Sequence, residues 1–198
     1  QHLQTHAPEQ SIISIFEDQN GHIWAGTFGG GVYILDPNTG NSITLKEKDG
    51  LINNNVLSIT GRGNEIWMGT LGGVSRIALN NGYNPANFKI TNYDRSSGLS
   101  SNYIYDVFID SKGRKWFATD GRGINLFQGG QFTAFDEKDG LKSDVVYSIT
   151  EDHHGHIWFS TQQEGLYQYD GRSFTNFNTR HGLRNLNISS IFATENGD

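Results

Sequence analysis

Three histidines, His153, His154 and His156, crowd against Glu151-Asp152. That density of imidazole and carboxylate is the raw material of a metal site. The expected reading is nevertheless a surface turn. Adjacent side chains on a hairpin point to opposite sides, and His22 fills the position of His156 in an earlier copy of the same stretch without histidine neighbours. No metal and no cofactor is therefore expected. The paired carboxylates Glu17-Asp18 and Glu151-Asp152 have the residue types of a glycosidase acid and base. They fall in repeated turns, however, where Asp has a local hydrogen-bonding task. Gly29-Gly30-Gly31 lacks the helix and the Lys-Ser/Thr that complete a phosphate loop. No Ser, His and Asp set stands apart from the repeated pattern, so nucleophilic catalysis has no support. The chain is not expected to be an enzyme.

These residues must be carried by some scaffold, and the scaffold is a repeat. Tryptophans stand at Trp24, Trp67, Trp116 and Trp158, and a Gly-Leu pair keeps the same beat at Gly50-Leu51, Gly98-Leu99, Gly140-Leu141 and Gly182-Leu183. Periods of about 40–50 residues built from short strands mark propeller blades. No stretch repeats apolar residues with helical spacing over more than a turn. Each unit divides into four strand-like pieces. The first is apolar with a small central residue (Ile12 to Ile15, Val56 to Ile59, Val146 to Ile149, Ile188 to Ile191), and Asp106 breaks that pattern in the third unit. The second holds the Trp and ends in Thr: Ile23 to Thr27, Ile66 to Thr70, Lys115 to Thr119, Ile157 to Thr161. An indole at a fixed position gives each blade a large apolar surface to bury against its neighbour. Third strands (Val32 to Leu35, Val74 to Ile77, Ile124 to Phe127, Leu166 to Tyr169) and more polar fourth strands (Ile43 to Lys46, Phe88 to Tyr93, Phe132 to Phe135, Phe174 to Asn178) complete the units. The expectation is an all-β chain of four-stranded antiparallel β-propeller blades, near 11–51, 52–99, 100–141 and 142–183, with the start of a fifth over 184–198. Propellers close with about 4–8 blades, so the chain is expected to be a fragment of a larger propeller, or to close with a second copy.

Composition agrees. The 198 residues include 25 Gly and 3 Pro, a balance suited to many tight turns. A net charge of −6 with scattered basic residues offers no footprint for nucleic acid. There is no cysteine, which excludes disulfides and thiolate metal sites. No apolar run reaches the roughly 20 residues of a membrane span, and Gln1 to Gln10 has no signal-peptide pattern. The segment is expected to be soluble and to make no membrane contact.

In such blades the turns between second and third strands share one face with the links between blades. Those turns vary: Phe28-Gly29-Gly30, Leu71-Gly72, Asp120-Gly121-Arg122 and Gln162-Gln163-Glu164. A rigid scaffold with variable loops on one face suits binding. The expected ligand contacts are Asp120, Arg122, Gln162, Gln163 and Glu164, with Asn54, Asn102 and Tyr103 from the links, all suited to a polar ligand such as a sugar.

The unit Ser-Ile-x-x-Asp-x-x-Gly-x-Ile-Trp-x-Gly-Thr-x-x-Gly-Gly-Val, fullest over Ser14 to Val32 and Ser148 to Leu166, resembles the two-component regulator propeller repeat. The Asp-Gly-Leu step at Asp49-Gly50-Leu51 and Asp139-Gly140-Leu141 belongs to the same pattern. That resemblance implies the periplasmic sensor region of a membrane-anchored hybrid histidine kinase of Bacteroidetes, often responsive to glycan fragments. Its implied partners are an oligosaccharide and further blades. The Asp18-x-x-Gly21-x-Ile23-Trp24 turn also resembles the Asp-box hairpin of sialidases, a structural motif there. Two other readings are open: an enzyme of the streptogramin-lyase type, which needs a His and a Glu together on the loop face (Glu164 and His181 are the residues available), and a docking scaffold of the cell envelope.

Overall fold

The computed structural model describes residues 8–79 and 87–194. It contains four antiparallel sheets of four strands, each strand beside its neighbour in sequence. Blade 1 is β1 (Ile12–Glu17), β2 (Ile23–Thr27), β3 (Val32–Leu35) and β4 (Ser42–Leu45). Blade 2 is β5 (Val56–Arg62), β6 (Glu65–Thr70), β7 (Gly73–Leu79) and β8 (Phe88–Tyr93). Blade 3 is β9 (Ile104–Ile109), β10 (Lys115–Thr119), β11 (Ile124–Gln128) and β12 (Gln131–Phe135), and blade 4 is β13 (Val146–Glu151), β14 (Ile157–Thr161), β15 (Leu166–Tyr169) and β16 (Phe174–Phe177). The all-β blades expected from the repeat are present. The chain divides into two compact units, Gln1–Asp94 with blades 1 and 2 and Arg95–Asp198 with blades 3 and 4.

The indoles bind the blades within each unit. Trp24, Val32, Ile34 and Leu45 of blade 1 share one buried cluster with Val56, Ile59, Ile66, Met68 and Ile77 of blade 2. In the second unit Trp116, Ala118 and Ile124 pack with Val146, Ile149, Ile157 and Phe159. The Trp116 ring meets Phe159 at 5.7 Å and Tyr169 at 5.6 Å, both edge-on, the geometry aromatic quadrupoles favour. The first strand of every blade slips register against the second near its start. Such a bulge leaves one residue unpaired and twists the strand.

The Asp turn is the tryptophan's anchor. Asp18 Oδ2 accepts the Trp24 indole N–H at 2.6 Å, Asp110 Oδ2 that of Trp116 at 2.8 Å and Asp152 Oδ2 that of Trp158 at 2.8 Å. The other carboxylate oxygen accepts backbone N–H groups of the same turn, from His154 and His156 at 2.9 Å each in the case of Asp152. Burial alone would raise the Asp152 pKa. The Trp158 indole, the two backbone donors and the His156 ring outweigh it and hold the carboxyl at about 2. Blade 2 does without this device. Its strands run on to pair Arg62 with Glu65 across a shorter turn; there Glu65 Oε2 accepts the Trp67 indole N–H at 3.4 Å and Oε1 pairs with Arg76, whose guanidinium lies over the Trp67 ring.

Links between blades are equally repetitive. Short 3-10 turns at Glu47–Asp49, Arg95–Ser97, Glu137–Asp139 and Thr179–His181 each run into the glycine of the Gly-Leu pair, with φ between 94° and 109°. That left-handed backbone is why the position is glycine. Four residues before each first strand, the backbone N–H of Ile52, Ser100 and Lys142 is bonded by Ser75, Asn125 and Tyr167 from the third strand. The equivalent residue in blade 1 is Pro8, which has no N–H, and the buried hydroxyl of Tyr33 has no partner among the described residues. Asp106, the break in the first-strand pattern, is explained by contact with the next blade: its Oδ2 accepts the Ile149 N–H of β13 at 2.9 Å.

The fifth blade's expected first strand does not form. Leu186 O accepts the Gly165 N–H and Ile188 N–H reaches Thr161 O, so the link is made, yet Ile188–Ile191 carries no strand. A strand needs a laterally paired neighbour, and among the described residues none lies beside it. Residues 195–198 of that expected segment lie outside the described residues.

Candidate functional site

Antiparallel order puts the turns between strands two and three, together with the links, at one end of each sheet, and the Asp turns at the other. At the loop end of the second unit lies a polar cavity of about 820 Å³. The 3-10 turn before blade 3 supplies Arg95, and the following link supplies Ser100. Arg122 comes from the β10–β11 turn, and Asp136, Lys138 and Asp144 come from the link into blade 4.

Each wall residue is held by local structure. Thr119 closes its turn by donating Oγ1–H to Gly123 O at 2.8 Å, as Thr27, Thr70 and Thr161 do in theirs. Gly123 N–H bonds Asp144 O at 2.8 Å, which ties the turn carrying Arg122 to the link carrying Asp144. Ser100 Oγ donates to Arg122 O at 3.1 Å and accepts from Asn125 Nδ2 at 2.6 Å. Asp136 caps its 3-10 turn by accepting Lys138 N–H. The guanidinium of Arg122, the ammonium of Lys138 and the carboxylate of Asp144 have no partner among the described residues. The cavity thus offers free cationic donors and a free carboxylate acceptor side by side. Such a mixture suits a polar ligand, and a polyanion would meet Asp144 and Glu137.

Of the residues expected to bind, Arg122 alone lines this cavity. Asn102 supports it: its Oδ1 accepts the Arg95 N–H at 2.9 Å. Asn54 makes the matching clasp in the first unit, accepting from Glu47 N–H while its own N–H donates to Glu47 Oε1. Asp120 Oδ2 accepts the Tyr105 hydroxyl at 3.0 Å. Burial and that carboxylate both raise the Tyr105 pKa, which keeps the phenol protonated. Tyr103 is 52% exposed and its carbonyl accepts the Asp120 N–H. Gln162 and Gln163 are exposed, and Glu164 gives its carbonyl to Asn176. Glu164 and His181, needed together for the lyase reading, share no hydrogen bond: His181 Nδ1 accepts the Asn178 N–H of its own turn.

Gln163 has φ 67°, where the equivalent Gly29 and Gly121 have 83° and 82°. A left-handed non-glycine costs about 1 kcal/mol or more. Gln163→Gly is expected to raise unfolding stability by about 0.5–1 kcal/mol in urea titration; an unchanged or lower midpoint would mean that no strain is held there.

Sequence reasoning missed Arg95, Ser100, Lys138 and Asp144. The available signal was variation at equivalent link positions: Glu47, Arg95, Glu137 and Thr179 occupy one, and Asn54, Asn102, Asp144 and Leu186 another. At the opposite end of blade 4, donor atoms of Asp152, His154 and His156 lie within 4.8 Å of one another.

The family model for the two component regulator propeller matches residues 6–29, 98–121 and 140–163. No curated protein matches the chain. Among solved structures, the chain is similar to the extracellular domain of BT3049 from B. thetaiotaomicron, described as part of a hybrid two component system. Identity is 26% over 95% of this chain and 26% of that one, with a TM-score of 0.81. The extracellular domain of BT4673 from the same organism, described likewise, is 21% identical over 98% of this chain and 35% of that one, with a TM-score of 0.59. Virginiamycin B lyase from Staphylococcus aureus is 16% identical over 87% of this chain and 57% of that one, with a TM-score of 0.67, a likeness of fold. This chain thus spans about a quarter of the length of the first of these proteins and about a third of the second. The three family matches each run through the first strand, the Asp turn and the tryptophan strand of blades 1, 3 and 4, and they skip blade 2, whose turn lacks the aspartate. Three stretches of the chain, in blades 1, 3 and 4, thus match the two-component regulator propeller repeat.

Proposed function

We propose that the chain is a ligand-binding part of the extracytoplasmic sensor region of a hybrid two-component histidine kinase, in the periplasm, and that it recognises a glycan fragment. The observation that carries this reading is the 820 Å³ cavity with unpaired Arg122, Lys138 and Asp144 at the loop end of the second unit. The likeness to extracellular domains of two-component systems supports the same role. The test is calorimetric titration with a panel of neutral and acidic oligosaccharides. Saturable binding that weakens about tenfold or more in Arg122→Ala is expected, since a lost charged hydrogen bond in a binding site costs on the order of 1.5–3 kcal/mol. Silence across the panel, or binding indifferent to Arg122→Ala, would refute it. Turnover of a bound compound would favour the enzyme reading instead.

We further propose that a preceding blade of the same repeat covers the free face of blade 1 in the parent protein. Ile15 is 67% exposed there, whereas its equivalents Ile59 and Ile149, covered by the blade before them, are 8% and 4% exposed. Ile15→Asp should then leave the 198-residue chain as stable as before and destabilise the parent by about 2 kcal/mol or more, the cost of burying an unpaired carboxylate. Equal effects in both proteins, or none in the parent, would contradict a covering blade.

A further inference from the structure

The Asp turns differ from one another in a way that indole anchoring does not require. The residues two and four positions after the aspartate are the ones whose side chains come near it in blade 4. They are Asn20 and His22 in blade 1, Lys112 and Arg114 in blade 3, and His154 and His156 in blade 4. Blade 3 fills these positions with cations, which repel a metal ion. Blade 1 has one imidazole, with His22 Nδ1 3.6 Å from Asp18 Oδ1, and an amide in the remaining place. Blade 4 alone presents a carboxylate and two imidazoles. Among the described residues these three form the one group of metal-ligating side chains, with donor atoms within 4.8 Å of one another.

We propose that Asp152, His154 and His156 bind a divalent transition metal ion of the zinc class. His156 Nδ1 lies 3.1 Å from Asp152 Oδ2. A tetrahedral ion with bonds of about 2.0–2.1 Å spaces its ligand atoms about 3.3–3.4 Å apart, so two of the three ligands already stand near coordination distance. His154 is exposed, and its ring can turn to close the remaining gap without disturbing the core. Two imidazoles with one carboxylate suit zinc, copper or nickel, not the all-oxygen preference of calcium and magnesium. Outer contacts fix the carboxylate: Oδ1 accepts two backbone N–H groups and Oδ2 accepts the Trp158 indole. Such second contacts orient a ligand and raise affinity. Metal binding at His156 Nδ1 would release its 3.3 Å contact with Gln168 Nε2. Asp152 and His154 also border a cavity of about 350 Å³ with Trp158, Leu166 and Phe192, so an ion held there stands at the wall of a space large enough for a small exogenous ligand. The rule that neighbouring side chains of a hairpin diverge does not hold here, since the His153 and His154 rings lie 3.7 Å apart, but His153 is not in the group whose donor atoms lie within 4.8 Å of one another.

Zinc chloride titration of the 198-residue chain is expected to give one ion bound per chain and a rise in melting temperature. His154→Ala should weaken binding at least about tenfold while leaving the metal-free melting temperature unchanged, and His153→Ala should bind as the parent sequence does. Absence of saturable uptake, uptake indifferent to His154→Ala, or loss of uptake in His153→Ala would each overturn the proposed site.

Discussion

Trp116→Ala should lower the unfolding stability of the second unit by about 3–5 kcal/mol, the range for truncating a large buried aromatic. Trp116 is fully buried. Its ring touches Phe135, Phe159 and Tyr169 and its indole N–H is bonded to Asp110 in the turn before its strand. Because Phe159 and Tyr169 belong to blade 4, the substitution opens a cavity between two sheets rather than within one. Neither sheet can collapse into it without breaking its own ladder. Trp158 provides the contrast, since it is only half-buried and its alanine variant should cost roughly half as much. Urea unfolding followed by tyrosine and remaining tryptophan fluorescence measures both; equal losses at the two positions would show that burial between blades is not what the indole supplies.

Asp110→Ala is the second large effect, at about 2–4 kcal/mol. Asp110 is itself buried and its donors include the Trp116 indole, the Arg114 backbone N–H at 2.9 Å and Arg114 Nε at 2.6 Å. Removing the carboxylate strands a buried indole N–H and breaks a charge-assisted bond, each costing on the order of 1–3 kcal/mol and not additively. The loss should stop short of unfolding, because blade 2 stands with no aspartate at that position, its indole reaching Glu65 at a long 3.4 Å across a tighter turn. Asp110→Asn should recover little, since an amide offers one acceptor oxygen where Asp110 uses two. Thermal unfolding decides the matter; a change below about 0.5 kcal/mol would mean that the turn's backbone geometry holds the tryptophan without the carboxylate.

The blades were readable because each is specified locally. Trp24, Trp67, Trp116 and Trp158 recur with a small residue two places on and Thr one place beyond, and the hairpins are short, so pairing of neighbours follows from chain order alone. The site was less readable for the same reason. Its walls come from links whose 3-10 turns leave no apolar rhythm, and Arg95, Ser100 and Asp144 converge only when two blades are packed. Asn54 and Asn102 look like free polar loop residues, yet their amides close the turns. Asp106 looks like a defect in a strand and proves to cap a donor on the next sheet. The missing first strand at Ile188–Ile191 makes the complementary point, since its apolar residues match the pattern but have no strand to pair with among the described residues.

Backbone amide mapping by NMR, with the oligosaccharide that stabilises the chain most, tests the binding face most directly. Saturable shifts should concentrate at Arg95 to Ser100, Gly121 to Gly123 and Glu137 to Asp144, the segments that wall the polar cavity. Shifts confined to the Asp110 to Arg114 and Asp152 to His156 turns at the far end of the sheets, or no saturable shift with any sugar tried, would contradict the assignment.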